Sequence, residues 1–137
     1  MYTSTDVQTA VIEQLRDTPL SDAISGSVRR QGTRTRDSSD EDAVVSVTAL
    51  TADQRQSGFV RVTIYVPDFM EGASAVRRTN LKRCAELERL LTNWATSLRA
   101  SSTGDVLFRL AEGVSTTPSP ERAESLVSAR LYFKIAE

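Results

Sequence analysis

Residues 76–98 contain neither proline nor glycine, and their apolar members recur in steps of three and four: Leu81, Cys84, Leu87, Leu91, Trp94 and Leu98. Leu90 and Ala95 widen the stripe, while Arg78, Lys82, Glu86 and Arg89 fall on the other side. This is the spacing of one long helix that buries a face about 100° wide. The other segments read as material for that face to pack on. Cys84 and Trp94 lie in register with the stripe, so both are read as packing residues, the cysteine as a small buried hydrophobe.

Towards the N-terminus, Val7, Ala10, Val11 and Leu15 form the stripe of a first helix, capped by Ser4 or Thr5 and stopped by Pro19. A short turn through Ser21, Asp22, Ala23 and Ile24 leads to Gly26, with Ile24 and Val28 tucked against the core. Two clear strands follow. Val45, Val47 and Ala49 alternate with Ser46, Thr48 and Leu50; Val60, Val62, Ile64 and Val66 alternate with Arg61, Thr63 and Tyr65. They form a β-hairpin with one apolar face and a polar loop over 51–58. Beyond the long helix come a strand on Val106, Phe108 and Leu110, and a flexible or extended loop around Pro118 and Pro120. The last strand, on Val127, Ala129, Leu131, Phe133 and Ile135, is the most regular in the chain.

One-sided strands imply a sheet covered by helices on a single face. The expected architecture is a single α+β domain over 1–137: an antiparallel or mixed sheet of about four to five strands, with the long helix and the N-terminal helix on one face. The other face, carrying Arg61, Thr63, Tyr65, Arg130, Tyr132 and Lys134, is expected to be free.

The chain lacks histidine, which removes the commonest general base, the commonest metal ligand and the usual partner of a nucleophilic Ser or Cys. One cysteine excludes an intrachain disulfide and a thiolate metal cage. No glycine-rich phosphate loop is present. Glu86 and Glu88 are two apart on a helix and do not face each other, and no spacing ties Asp105, Glu112, Glu121 and Glu124 into a site. No catalytic residue, cofactor, metal or small-molecule substrate is therefore expected. A formal net charge of −1 leaves partners to local patches. No window has the length of a membrane span, and the first residues lack the basic start and apolar run of a signal peptide, so intracellular synthesis is expected.

Residues 28–36 are basic and read as a weak edge strand followed by a mobile loop. Arg29, Arg30, Arg34 and Arg36 precede Asp37, Asp40, Glu41 and Asp42. The acids lack the order and the glycine of a calcium loop and read as a solvated run. The whole block reads either as self-complementary charge that sets register between copies of a subunit or as charge held in solvent alone.

The order of helix, charged segment, hairpin, long helix and closing strands resembles the tail-terminator or tail-completion family of long-tailed phages and prophages. The likeness is carried by DVQTAVIEQLRDTPLSDAISGSV, the hairpin VVSVTAL…GFVRVTIYVPD, the helix LKRCAELERLLTNWATSL and the closing AESLVSARLYFKIAE. It implies a virion structural protein without enzyme activity, assembled in the bacterial host cytoplasm. Such proteins form a ring, commonly a hexamer, that caps the tail tube and meets the neck or connector protein. The pattern places the subunit or partner interface at Arg34, Arg36, Asp40, Glu41 and Asp42, with Tyr65 and Tyr132 on the free sheet face. The alternatives are a head-closure or connector protein, and a small intracellular module that binds protein or nucleic acid on its free sheet face.

Overall fold

The computed structural model describes residues 1–35, 37–71, 76–98, 104–119 and 121–135, without the side chains of residues 70, 71, 76 and 77. Helix α1 (Ser4–Leu15) is capped by Thr3 rather than by Ser4 or Thr5. The Thr3 hydroxyl accepts from the Asp6 N–H, and the Asp6 carboxylate accepts from the Thr3 N–H at 2.8 Å, a reciprocal capping box. Pro19, which ends the first stripe, is also the first residue of a short helix α2 (Pro19–Ala23), where its missing N–H costs nothing.

Six strands form the main sheet. Strand β1 (Val28–Arg30) runs parallel to β2 (Ala43–Leu50), and β2 pairs antiparallel with β3 (Ser57–Pro67). A short antiparallel pair, β4 (Phe69–Glu71) and β5 (Val76–Arg78), stands apart and precedes α3 (Leu81–Ser97). Of the last strands, β6 (Val106–Leu110) and β7 (Ser115–Pro118) both pair with β8 (Glu124–Ile135). The order is β1-β2-β3-β8-β6, with β7 beside the other half of β8. The class is α+β and the sheet is mixed, as the patterns imply. The strand beyond the expected four to five is β7, in the segment read as a loop; its Ser-Thr-Thr-Pro sequence has no apolar alternation to announce it.

The long helix begins at Leu81, not at residue 76. Residues 76–78 are held by β4, and Asn80 then caps the helix by accepting from the Arg83 N–H at 3.2 Å. Leu81, read as part of the stripe, is 73% exposed. At 3.6 residues per turn it lies about 100° from the centre of the buried face. Cys84, Leu87, Leu91, Trp94 and Leu98 are buried as expected. They meet Val60, Val62, Ile64, Val127, Ala129, Leu131 and Phe133 from the sheet, with Val7, Val11 and Leu15 of α1 completing the core. The Trp94 indole N–H donates to the Gln14 carbonyl at 3.1 Å, satisfying its one polar atom.

Helices α1 and α3 pack on the sheet and α2 packs against α3; among the described residues no helix is long and apolar enough to cross a membrane. The opposite face is the one that positions the candidate site.

Candidate interaction surface

Glu41 and Asp42, the two residues just before β2, project to opposite sides of the sheet and are tied down on both. On the helix side, Arg83 of α3 grips Glu41 through Nε and Nη2, each 2.7 Å from a carboxylate oxygen. The same guanidinium donates to the Ala23 carbonyl, and the Ser25 N–H donates to Glu41 at 3.2 Å. The hydrogen bonds from Arg83 outweigh the cost of burial and hold the Glu41 carboxyl below its ordinary value; the same contact raises the Arg83 pKa.

On the outer side, the Asp42 carboxylate accepts from the Ser27 N–H, the Ser38 hydroxyl and Arg34 Nε, each at 3.0 Å. Burial opposes its ionisation, but these bonds and the Arg29 charge prevail and lower its pKa. Arg34 lies with its guanidinium carbon 4.1 Å from the centroid of the Tyr65 ring. It also donates to the Ser38 and Asp40 carbonyls and to Glu124 of β8. Arg122 adds a 2.8 Å bond to the Ser38 carbonyl. Arg34, Ser38, Asp40 and Asp42 are thereby fastened across one end of the outer face.

The reading of the acids as a solvated run is corrected at two positions. Asp42 is 2% and Glu41 8% exposed, and both are consumed within the chain. Arg34 and Tyr65 cover each other, while Asp40 remains exposed. Arg36 lies outside the described residues. Gly26 explains how the chain comes so close: a Cβ there would stand 2.2 Å from Asp42 Oδ1 and 2.9 Å from the Glu41 carbonyl.

The other end of the outer face is open. Arg109, Tyr132 and Phe59 are direct neighbours across β6, β8 and β3. The two rings meet edge to face, 5.7 Å between centroids. Arg109 stacks over Tyr132 at 4.8 Å and Arg130 over Phe59 at 3.9 Å. Arg61 and Arg130 stand opposite one another in the next row. Lys134 is exposed beside them, and with Arg55, Gln56, Ser57, Leu107 and Tyr132 it lines a shallow cleft at the sheet's end.

Glu112 lies 3.9 Å from Arg130 with both side chains well exposed, a contact that contributes little. Of the expected interface residues, then, Tyr132 lies in the open half and Tyr65 beneath Arg34. Phe59, Arg109 and Arg130 were not among them. The alternation that puts Arg130 beside Tyr132 marks its face, but its encounter with Arg61 depends on pairing that no local pattern encodes.

Among the described residues, no group of three or more His, Cys, Asp or Glu could hold a metal ion. Cys84 is buried, and desolvation pushes its thiol pKa up, away from a reactive thiolate. The surface can bind anions or stack against planar groups; no general acid and base converge on it.

No family model and no curated protein matches the chain. Among solved structures it is similar to one whose name states no function, at 19% identity and a TM-score of 0.48, over 99% of this chain and 98% of that one. A likeness at that level carries no functional argument.

Proposed function

We propose that this chain is a structural subunit of a phage or prophage virion: a tail terminator that forms a ring at the head-proximal end of the tail tube and meets the neck. The observation that carries this reading is the outer sheet face, one end sealed by Arg34 and Asp42 and the other left as an uncovered basic and aromatic surface. A charged surface suits contact with another protein surface, where complementary potential sets register and excludes wrong partners. The order of elements, with the hairpin and the closing strand at the centre of the sheet, supports the same reading.

The test is to add purified protein to isolated tail tubes and image the mixture by negative stain. Rings seated on one end of the tubes are expected. Protein that stays monomeric at high concentration and leaves tube ends bare would overturn the reading.

A nucleic-acid-binding module is favoured by the arginines beside Tyr132 and Phe59. However, both rings already carry a guanidinium, which competes with a stacking base. Retention of the protein on DNA that falls steeply with salt would support that second reading.

A further inference from the structure

We propose that the open half of the outer face, through Arg61, Arg109, Arg130 and Lys134, docks the acidic tip of a second copy of this chain, formed by Asp37, Asp40 and Glu121. The proposal rests on the ring-forming reading and names the contact that would build the ring.

Both patches belong to the same side of the molecule but to opposite ends of it. Strand β3 runs from Phe59 and Arg61 in the open half to Tyr65 and Pro67 under the sealed end, and β8 runs antiparallel beside it. Six residues of strand separate Arg61 from Pro67, roughly 20 Å. In the open half, Arg61 and Arg130 are cross-strand neighbours of like charge, an arrangement that costs stability unless an anion is supplied. Neither Arg61 nor Lys134 has an acidic partner among the described residues.

At the sealed end, the described cations Arg34 and Arg122 are already engaged. Arg34 is committed to Asp42 and Glu124, and Arg122 reaches the Ser38 carbonyl and Glu124. Asp37, Asp40 and Glu121 remain exposed there, the first two in the segment that Arg122 ties to the β7–β8 connection. The tip therefore presents three exposed acids, beside an Arg122 that is bonded to the Ser38 carbonyl and lies 3.9 Å from Glu124. One end of the face supplies exposed cations, of which Arg130 alone meets a carboxylate among the described residues, the exposed Glu112 at 3.9 Å, and the other supplies exposed carboxylates.

A contact between two different patches of the same chain is heterologous, and repetition of it closes into a ring or extends as a filament. Carboxylates from a neighbour would insert between Arg61 and Arg130 and turn their repulsion into two attractions. A phosphate chain could meet the same cations, but it would leave the acidic tip without a role.

The experiment uses the full chain in three forms: wild type, a sheet variant (Arg61→Glu with Arg130→Glu) and a tip variant (Asp37→Lys, Asp40→Lys and Glu121→Lys). Self-association is read by sedimentation, with circular dichroism to establish folding. Wild-type association is expected to weaken with added salt, and each variant alone to associate about tenfold or more weakly than wild type. An equal mixture of the two variants is expected to associate again, because each then offers the charge the other lacks. The proposal is overturned by a sheet variant that associates like wild type, by a mixture of folded variants that does not recover, or by wild-type association that salt leaves unchanged. It is also overturned if the wild type retains duplex DNA through Arg61 and Arg130 and does not self-associate. Should a variant fail to fold, the salt dependence of the wild type decides. Rings on tail tubes that form equally well with the sheet variant would remove this contact and leave the ring reading standing.

Discussion

Arg61 and Arg130 face one another directly across β3 and β8 on the uncovered side of the sheet. Like charges in that position oppose strand pairing, so the isolated chain keeps them at a cost. Arg61→Thr is expected to stabilise the dilute monomer by about 0.2–1 kcal/mol. Urea unfolding at low salt measures it, and the gain should shrink as salt screens the pair. A loss of stability on this substitution would mean that Arg61 is satisfied within the chain.

Asp42 is expected to behave in the opposite way. It is buried and holds Arg34, Ser38 and Ser27 together. Asp42→Ala leaves the Arg34 guanidinium with Glu124 as its remaining carboxylate and should cost about 3 kcal/mol. Arg34→Met added to it should cost less than the two single losses summed, since the bond between the two residues is then already gone. Denaturation of the single and double variants gives both quantities.

The carboxyls of Glu41 and Asp42 carry a pH dependence with a definite sign. Their ordinary values are 4.5 and 3.8, and both are lower in the folded chain. As the pH falls towards and below those values, the unfolded chain takes up protons first, so folding stability declines with acidification. Above about pH 6 both groups are ionised in either state and their contribution is constant. Thermal unfolding between neutral and acid pH should show that decline, reduced in Glu41→Gln. A midpoint that rises on acidification would contradict it.

Gly26 tests the close approach that permits the network. Gly26→Ala brings a methyl against the Asp42 carboxylate and the Glu41 backbone, and is expected to cost about 1–3 kcal/mol. Combined with Asp42→Ala, which removes the nearest obstructing atom, the two losses should sum to less than their separate values. Strict additivity would show that the glycine serves some other purpose.

The layers of the fold were legible because their periods are simple. Val60, Val62, Ile64 and Val66 mark one face of β3 at a period of two, and Cys84, Leu87, Leu91 and Trp94 mark one face of α3 at a period near 3.6. The start of α3 was less so, because Val76 and the arginines after it fit a helix as well as a strand until β4 is placed beside them. Strand β7 was hidden by its serine and threonines.

The candidate surface was half legible. Alternation assigns Arg61, Arg130 and Tyr132 to the free face, yet who meets whom is a matter of register between strands far apart in the chain. Glu41 and Arg83 are 42 positions apart, and nothing local announces their pairing. The acidic run looked uniform as text. In three dimensions, the strand's alternation sends Glu41 and Asp42 into opposite networks and leaves Asp40 outside.

The proposed ring at the end of a tail tube is checked by imaging the protein with purified tail tubes while its mass is followed in solution. Closed rings that cap one end of each tube and stop its further growth are expected. A particle that remains a monomer at every concentration, with tube ends uncapped and growth unimpeded, would contradict it.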